Sequence, residues 1–212
     1  MYHQNFLQKI EFFPVINIIY AGNSGLNILV NAKQVIIDGT FDLCEGKLIL
    51  NTIMGYHEGV AIPCAYFLTS SKEKENYKIF FQTIKVKTGN RLNPDGVLVD
   101  FEEALGDAFI EIFPSCSLWR DFFHFQQAIV KNLKKMKLSD LIEDVSLETH
   151  NLWNSSTKEE FDKSTNEFLS KWDEVIPQFT AYYRNVWIKR FKPETWASYA
   201  RPNNVPSGKY LE

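Results

Sequence analysis

Residues 34–41 read QVIIDGTF, and this stretch decides the fold of the chain. The run is almost entirely apolar, which is typical of a strand covered on both faces of a sheet. A single carboxylate, Asp38, interrupts it, although burying an unpaired charge is costly. A second short apolar strand ends in the same way, because Asp100 closes VLVD at residues 97–100. The two acids therefore call for a common explanation.

Apolar stretches on either side of these strands predict the rest of the sheet. Residues 48–57 and 60–68 are predicted to form an antiparallel hairpin, because a turn sequence ending in Gly59 joins them. Pro63 predicts that the second of these strands lies at an edge, since proline cannot donate a hydrogen bond to a neighbouring strand. Residues 13–20 are rich in β-branched side chains and predict a further strand near the start of the chain.

The order of the elements defines the fold class. Amphipathic helices are predicted over residues 72–86 and 102–113 and from about 121 to 136, and a fifth strand over residues 116–119. Three strands, a helix, a strand and a helix follow one another in this way in the RNase H-like fold. We therefore expect an α/β protein with an RNase H-like mixed five-stranded sheet flanked by helices. Residues 1–120 would form this core, and residues 121–212 a helical insertion lobe with the truncated C-terminal end of the core.

The two acids suit a site for divalent metal. In the predicted order the first and fourth strands are neighbours, so Asp38 and Asp100 would face one another, and two ionised carboxylates that close repel unless a cation lies between them. Carboxylate oxygens favour Mg²⁺ or Mn²⁺. Two such ions can activate a hydroxyl and stabilise the leaving oxygen during attack on a phosphodiester. Two structural alternatives stay open: Asp38 before Gly39 can simply end a strand, and Asp100 can cap the helix that follows it.

Several segments of the chain resemble, in order and spacing, the transposases of Mutator-like elements (MULEs). The segments are VIIDGTF at residues 35–41, VAIPCAY at 60–66, LVDFE at 98–102 and FFHFQ at 122–126. This resemblance implies a DDE-type enzyme that cuts and rejoins DNA with Mg²⁺ or Mn²⁺, in which Asp38 is the first catalytic acid and Asp100 the second. It also implies that residues 121–195 are the insertion before the third acid, that the protein acts in the nucleus, and that it can form homo-oligomers.

The sequence departs from the family pattern at two places. Many relatives carry a C-x-x-H pair at the start of the helix after the fifth strand, and here Asp121 stands three positions before His124. Relatives usually place the catalytic Glu three residues after an Asn-Asn pair, whereas Asn203-Asn204 is followed there by Ser207. Glu212 is the only later acid, five residues too far along, so we expect the third carboxylate to be missing and the activity to be reduced or lost.

Basic residues form two clusters that are candidates for DNA contact. The first, after His124, consists of Lys131, Lys134, Lys135 and Lys137. These lysines either bind DNA phosphates or complement the negative end of a helix dipole. The second, Lys189 with Arg190 and Lys192, lies among aromatic side chains that are expected to belong mainly to a core.

The composition limits the function classes. With a net charge of -3 the surface as a whole does not attract nucleic acid, so any DNA contact needs a local patch. No apolar run is long enough to span a membrane. Cys44, Cys64 and Cys116 are too far apart for a C-x-x-C zinc site. The leading hypothesis is a MULE-type transposase domain. The alternative is a non-catalytic DNA-binding or regulatory protein derived from such an element.

Overall fold

A computed structural model describes residues 6–12, 14–40 and 48–202 of the chain. It divides the chain into two compact units, the first ending at Leu118 and the second beginning at Trp119. The boundary falls within the strand at residues 117–120, where the sequence places the end of the core. Among the described residues, no helix is both long enough and apolar enough to cross a membrane.

The first unit is built on a mixed sheet with helices. Its strands are β1 Leu7–Glu11, β2 Asn17–Ala21, β3 Gln34–Thr40, β4 Ile49–His57, β5 Val60–Thr69, β6 Gly96–Val99 and β7 Ser117–Arg120. Its helices are α1 Asn23–Asn31, α2 Lys74–Lys87 and α3 Glu103–Ile112. The order across the sheet is β1-β2-β5-β4-β3-β6-β7. The sheet therefore has seven strands in the described part of the chain, which corrects the predicted five.

The two additional strands form a hairpin at one side of the sheet. β1 pairs antiparallel with β2, and β2 pairs antiparallel with β5 over residues 17–21. The β-rich composition of residues 13–20 indicated a strand there, but not its partner. The other five strands keep the predicted relations, because β3, β4 and β5 form an antiparallel meander and β6 returns beside β3 in parallel.

The prediction that Pro63 marks an edge strand is wrong. β5 lies inside the sheet, between β2 and β4. Proline is accommodated because the register with β4 shifts there, from Ile53 opposite Ala65 to Met54 opposite Pro63. The pairing with β2 begins only at Ala65, so no strand on that side requires an N–H group from Pro63.

Side chains from one face of the sheet pack with the helices to form the core of the first unit. Ile37 of β3 and Val99 of β6 belong to this core. Aromatic rings supply much of it: Phe67 of β5 stacks on Phe80 of α2 with ring centroids 5.0 Å apart, and Phe81 meets Phe109 of α3 edge to face at 5.0 Å. These ring contacts join α2 to β5 and α2 to α3 within the core.

The second unit is helical, as predicted. It contains α4 Phe122–Lys135, α5 Ile142–Trp153, α6 Lys158–Asp173, α7 Pro177–Tyr183, a π-helical segment Arg184–Arg190, and short 3₁₀ turns at 139–141, 193–195 and 198–200. Trp153, Trp187 and Trp196 are fully buried around Phe125. The indole N–H of Trp196 donates to the carbonyl oxygens of Trp187 and Phe191. The aromatic residues near the second basic cluster are therefore core residues.

Close packing between α1 and β5 leads to a stability prediction. A Cβ atom at Gly25 would lie 2.3 Å from the carbonyl oxygen of Cys64. We expect Gly25→Ala to lower the free energy of unfolding by about 1 to 3 kcal/mol through overpacking, although alanine normally favours a helix. Urea unfolding of this variant beside Asn27→Ala, an exposed control in the same helix, measures the effect. Equal stability of the two variants would contradict the close approach.

Candidate functional site

The parallel register of β3 and β6 brings the two predicted acids side by side. Ile37 is opposite Val99, so the next positions along the two chains are Asp38, within β3, and Asp100, directly after β6. Neighbouring strands lie about 4.8 Å apart, and paired residues of parallel strands point to the same side. Because Ile37 and Val99 face the core, alternation directs Asp38 and Asp100 toward the opposite face of the sheet.

Asp100 is held in place by the backbone of the following turn. Its carboxylate is largely buried, with 7% of the residue exposed, and Oδ1 accepts a hydrogen bond of 2.8 Å from the amide of Glu102. The helix itself begins at Glu103, and Glu102 is the capping residue. Asp100 is therefore not the N-cap of α3, and the hydrogen bond orients its side chain at the end of β6.

Glu102 belongs to a polar group that the sequence did not predict. The hydroxyl of Tyr77 in α2 donates to Oε1 of Glu102 at 2.5 Å, and Nζ of Lys72 lies 3.4 Å from Oε2. Burial, and then the neighbouring Glu102 carboxylate, raise the pKa of Tyr77 well above its usual range, so the phenol remains a hydrogen-bond donor. The helix predicted over residues 72–86 gave no indication of this contact, because periodicity carries no information about a hydroxyl partner.

Asp38, within β3, and Asp100, directly after β6, are the candidate ligands for a divalent cation. Mg²⁺ is commonly bound through one or two carboxylates, with waters and substrate phosphates as the remaining ligands. Among the described residues, no group of three or more His, Cys, Asp or Glu side chains is arranged to hold a metal ion. Asn203, Ser207, Glu212 and Cys44 lie outside the described residues, so the structure does not test the expected place of the third acid.

The structure gives Asp121 a local role. Asp121 caps α4, because its Oδ1 accepts a 3.1 Å hydrogen bond from the backbone amide of His124. Burial raises the pKa of Asp121. Arg201 of the same unit is also buried, which lowers its pKa to about 10, and it donates to the carbonyl oxygens of Arg120 and Trp196. Where relatives have Cys, this chain thus has a helix-capping carboxylate.

The first basic cluster lies at the end of α4. Lys131, Lys134, Lys135 and Lys137 are all exposed, and in the part of the chain that the structure describes none of them pairs with an acid. Lys134 and Lys135 occupy the last turn of the helix, and Lys137 adopts a left-handed backbone conformation just beyond it. This placement suits both a solvated helix end and a phosphate contact.

The first unit is thus an α/β unit in which one acid, Asp38, lies on a central strand and a second, Asp100, directly follows the parallel neighbour of that strand. Residues 34–128, from the start of β3 into α4, match the family model of the MULE transposase domain. Over this segment the chain is similar to the MULE transposase domain, which confirms the resemblance. No curated protein matches the chain in a sequence search.

The Tyr77 hydrogen bond leads to a second prediction. We expect Tyr77→Phe to lower the free energy of unfolding by about 1 to 2 kcal/mol, because a buried hydrogen bond to a carboxylate is lost. Tyr183→Phe is the matched control: the Tyr183 hydroxyl is buried and has no hydrogen-bond partner among the described residues, so its removal should change stability by less than about 0.5 kcal/mol. Urea unfolding at neutral pH distinguishes the two variants.

The same bond predicts a pH dependence. The pKa of Tyr77 is raised in the folded state. The contribution of its hydrogen bond to the free energy of unfolding is therefore fully present below the unfolded pKa of about 10, and it is lost as the pH rises above that value. Tyr77→Phe should therefore lose less stability than the parent chain above pH 10. An identical decline in both proteins would contradict this assignment.

Proposed function

We propose that this chain is a transposase domain that cuts and joins DNA strands with a divalent cation, Mg²⁺ or Mn²⁺, held by Asp38 and Asp100. One observation carries the proposal: the segment that matches the MULE transposase domain contains two acids in adjacent positions of a parallel strand pair. Carboxylates brought together on one side of a sheet are stabilised by a divalent ion rather than by each other.

The order of the strands supports an RNase H-like core. β5-β4-β3-β6-β7 forms a continuous part of the sheet, in which the first strand of the meander, β3, is the neighbour of β6. The hairpin β1–β2 extends this core beyond β5. In this proposal the first acid is Asp38, on β3, and the second is Asp100, directly after β6.

The proposal assigns metal binding to two residues and the orientation of these ligands to their neighbours. Asp38 and Asp100 bind the cation, which when bound supplies positive charge for the attack of a hydroxyl on a phosphodiester. The Glu102 amide orients Asp100 through its hydrogen bond. Tyr77 and Lys72 hold the side chain of Glu102, so that the turn after β6 is tied to α2. A preorganised carboxylate binds the ion without first paying a cost in conformational entropy.

DNA is the partner that this function requires. The exposed lysines at the end of α4 are candidates for contacts with its phosphates, and their positive charges stand without acidic neighbours among the described residues. In this proposal the protein acts on DNA in the nucleus and can form homo-oligomers.

A non-catalytic, domesticated DNA-binding or regulatory protein is the second candidate. The observation that favours it is that Ser207 stands where relatives usually place the third acid. Two carboxylates can still hold an ion, but strand transfer requires a complete set of ligands around the reacting phosphate. Metal binding and DNA cleavage therefore have to be measured separately.

The test measures Mn²⁺ binding by isothermal calorimetry and cleavage of labelled DNA in the same buffer. We expect Asp38→Asn and Asp100→Asn each to weaken Mn²⁺ binding by at least about tenfold, because each removes a direct ligand. Asp107→Asn is the matched control, since Asp107 is an exposed carboxylate on α3 and lies outside the proposed site. It should bind Mn²⁺ like the parent chain.

The combination of results decides between the candidates. Binding and cleavage that are both lost in Asp38→Asn would establish the enzyme. Binding without any cleavage in the parent chain would identify a relic metal site and favour the regulatory protein. If the parent chain bound no Mn²⁺, or if the Asp107 control lost as much affinity as the two site variants, the proposed metal site would be wrong.

A further inference from the structure

We propose that the helical second unit binds a single-stranded segment of DNA in a groove between α6 and the π-helical segment. This α6 groove is lined by Phe161, Asn166, Ile188, Lys189, Lys192 and Tyr199, among others, and has a volume of about 590 Å³. The inference rests on the proposed function only for the identity of the ligand as DNA. The site lies within the second unit and includes none of the residues assigned to metal binding.

The charge of the groove favours an anion. Of its cations, Lys158 pairs with Asp162 at 2.9 Å, and Arg184 forms a two-point ion pair with Asp173. Lys189 and Lys192 are exposed, and neither has an acidic partner among the residues that the structure describes.

Glu194 is the acid of the lining that takes part in no ion pair within the described residues. Lys158 and Arg184 are neutralised by their ion pairs, and Glu194, which interacts with Lys158 and Tyr199, offsets one of the two remaining lysine charges, so the groove keeps a net positive charge. That excess fits the phosphates of a nucleic-acid strand.

The floor of the groove is apolar and partly aromatic. Phe161 packs against Tyr199 with ring centroids 5.3 Å apart, and Ile188 and Pro193 add apolar surface beside them. Tyr199 is only partly buried, so part of its ring faces the groove. A combination of aromatic surface with neighbouring cations is how proteins bind single strands without sequence preference, because bases stack while phosphates meet lysine or arginine.

The backbone that carries the lysines is also unusual. Residues 184–190 form π-helical rather than α-helical turns. π-Helical turns are rare and occur frequently at functional sites, because they displace side chains from their α-helical positions. Here the segment places Ile188 and Lys189 along the same groove as α6.

The size of the groove selects among nucleic-acid ligands. A volume of about 590 Å³ lies in the range of pockets for small molecules and corresponds to a nucleotide or two rather than to a duplex. A duplex presents its phosphates on a convex surface and keeps its bases stacked inside, so it would contact only the rim lysines. The geometry therefore favours an unpaired segment, with its phosphates at Lys189 and Lys192 and a sugar or base face over Tyr199, whose ring is backed by the buried Phe161.

The experiment measures binding of a short fluorescein-labelled single-stranded oligonucleotide to the full chain by fluorescence anisotropy, with EDTA present. We expect the double variant Lys189→Gln/Lys192→Gln to bind about tenfold more weakly and to show a salt dependence lower by about 1.4 in logarithmic slope, since two phosphate contacts are lost. Asn166→Glu, which adds a carboxylate to an exposed position of the lining, should weaken binding while leaving both lysines in place.

A matched control removes the same charge elsewhere in the unit. Lys163→Gln/Lys171→Gln changes two exposed lysines of α6 that do not line the groove, and should bind within about twofold of the parent chain. If both double variants lost the same affinity for the oligonucleotide, the effect would come from the overall charge of the protein, and the proposed site would be wrong. Unchanged binding by Lys189→Gln/Lys192→Gln would overturn it as well.

Two further measurements test whether the ligand is unpaired DNA and whether the groove acts independently of the metal site. If Lys189→Gln/Lys192→Gln weakened the binding of a duplex of the same sequence as much as the binding of the single strand, the assignment of an unpaired segment would be wrong. Asp107→Asn, which alters neither the metal site nor the groove, should bind the oligonucleotide like the parent chain, and the metal-free assay keeps the measurement separate from metal binding by Asp38 and Asp100. A failure of the groove would thus leave the metal and cleavage measurements intact, and a failure of the metal site would leave the groove intact.

Discussion

The parallel pairing of β3 with β6 is the constraint on which the rest of the first unit depends. A register that sets Ile37 opposite Val99 directs both of these side chains into the core and turns Asp38 and Asp100 to the other face. A shift of one residue in either strand would bury a carboxylate among aromatic rings, which carries a large free-energy cost. The same register thus stabilises the core and brings the two carboxylates together, so the geometry of the candidate site follows from burial of apolar side chains.

The segments around this strand pair hold it from both sides. α2 and α3 pack aromatic rings against the core face, and Tyr77 of α2 reaches the carboxylate of Glu102, whose amide holds Asp100. On the far side, the hairpin β1–β2 covers the edge that β5 would otherwise expose. A sheet edge without a partner presents unpaired backbone groups, so the hairpin moves that edge away from the meander that carries the site.

The second unit combines a dense aromatic core with a charged exterior. Trp153, Trp187 and Trp196 surround Phe125, and the Trp196 indole is anchored to two carbonyl oxygens of the π-helical region. Because that region is fixed from inside, Lys189 within it and Lys192 just after it are held at defined positions beside the α6 groove. Asp121 contributes at the start of the unit by capping α4, a role that a thiol performs less well because sulfur is a weak hydrogen-bond acceptor.

The sequence by itself determined the strand that contains Asp38, the strand that ends just before Asp100, the pairing of these two strands, the helical segments of the second unit and the resemblance to the MULE transposase domain, because apolar periodicity and residue order can be read along the chain. Only the tertiary structure decided the rest. The structure decided that β2 pairs with β5, that β5 lies inside the sheet despite Pro63, and that Tyr77 donates a hydrogen bond to Glu102. Each of these features depends on contacts between residues that are distant in sequence, and no local pattern predicts such contacts. The groove along α6 arises likewise from segments that meet only when the chain is folded, since cavity shape is a property of packing rather than of composition.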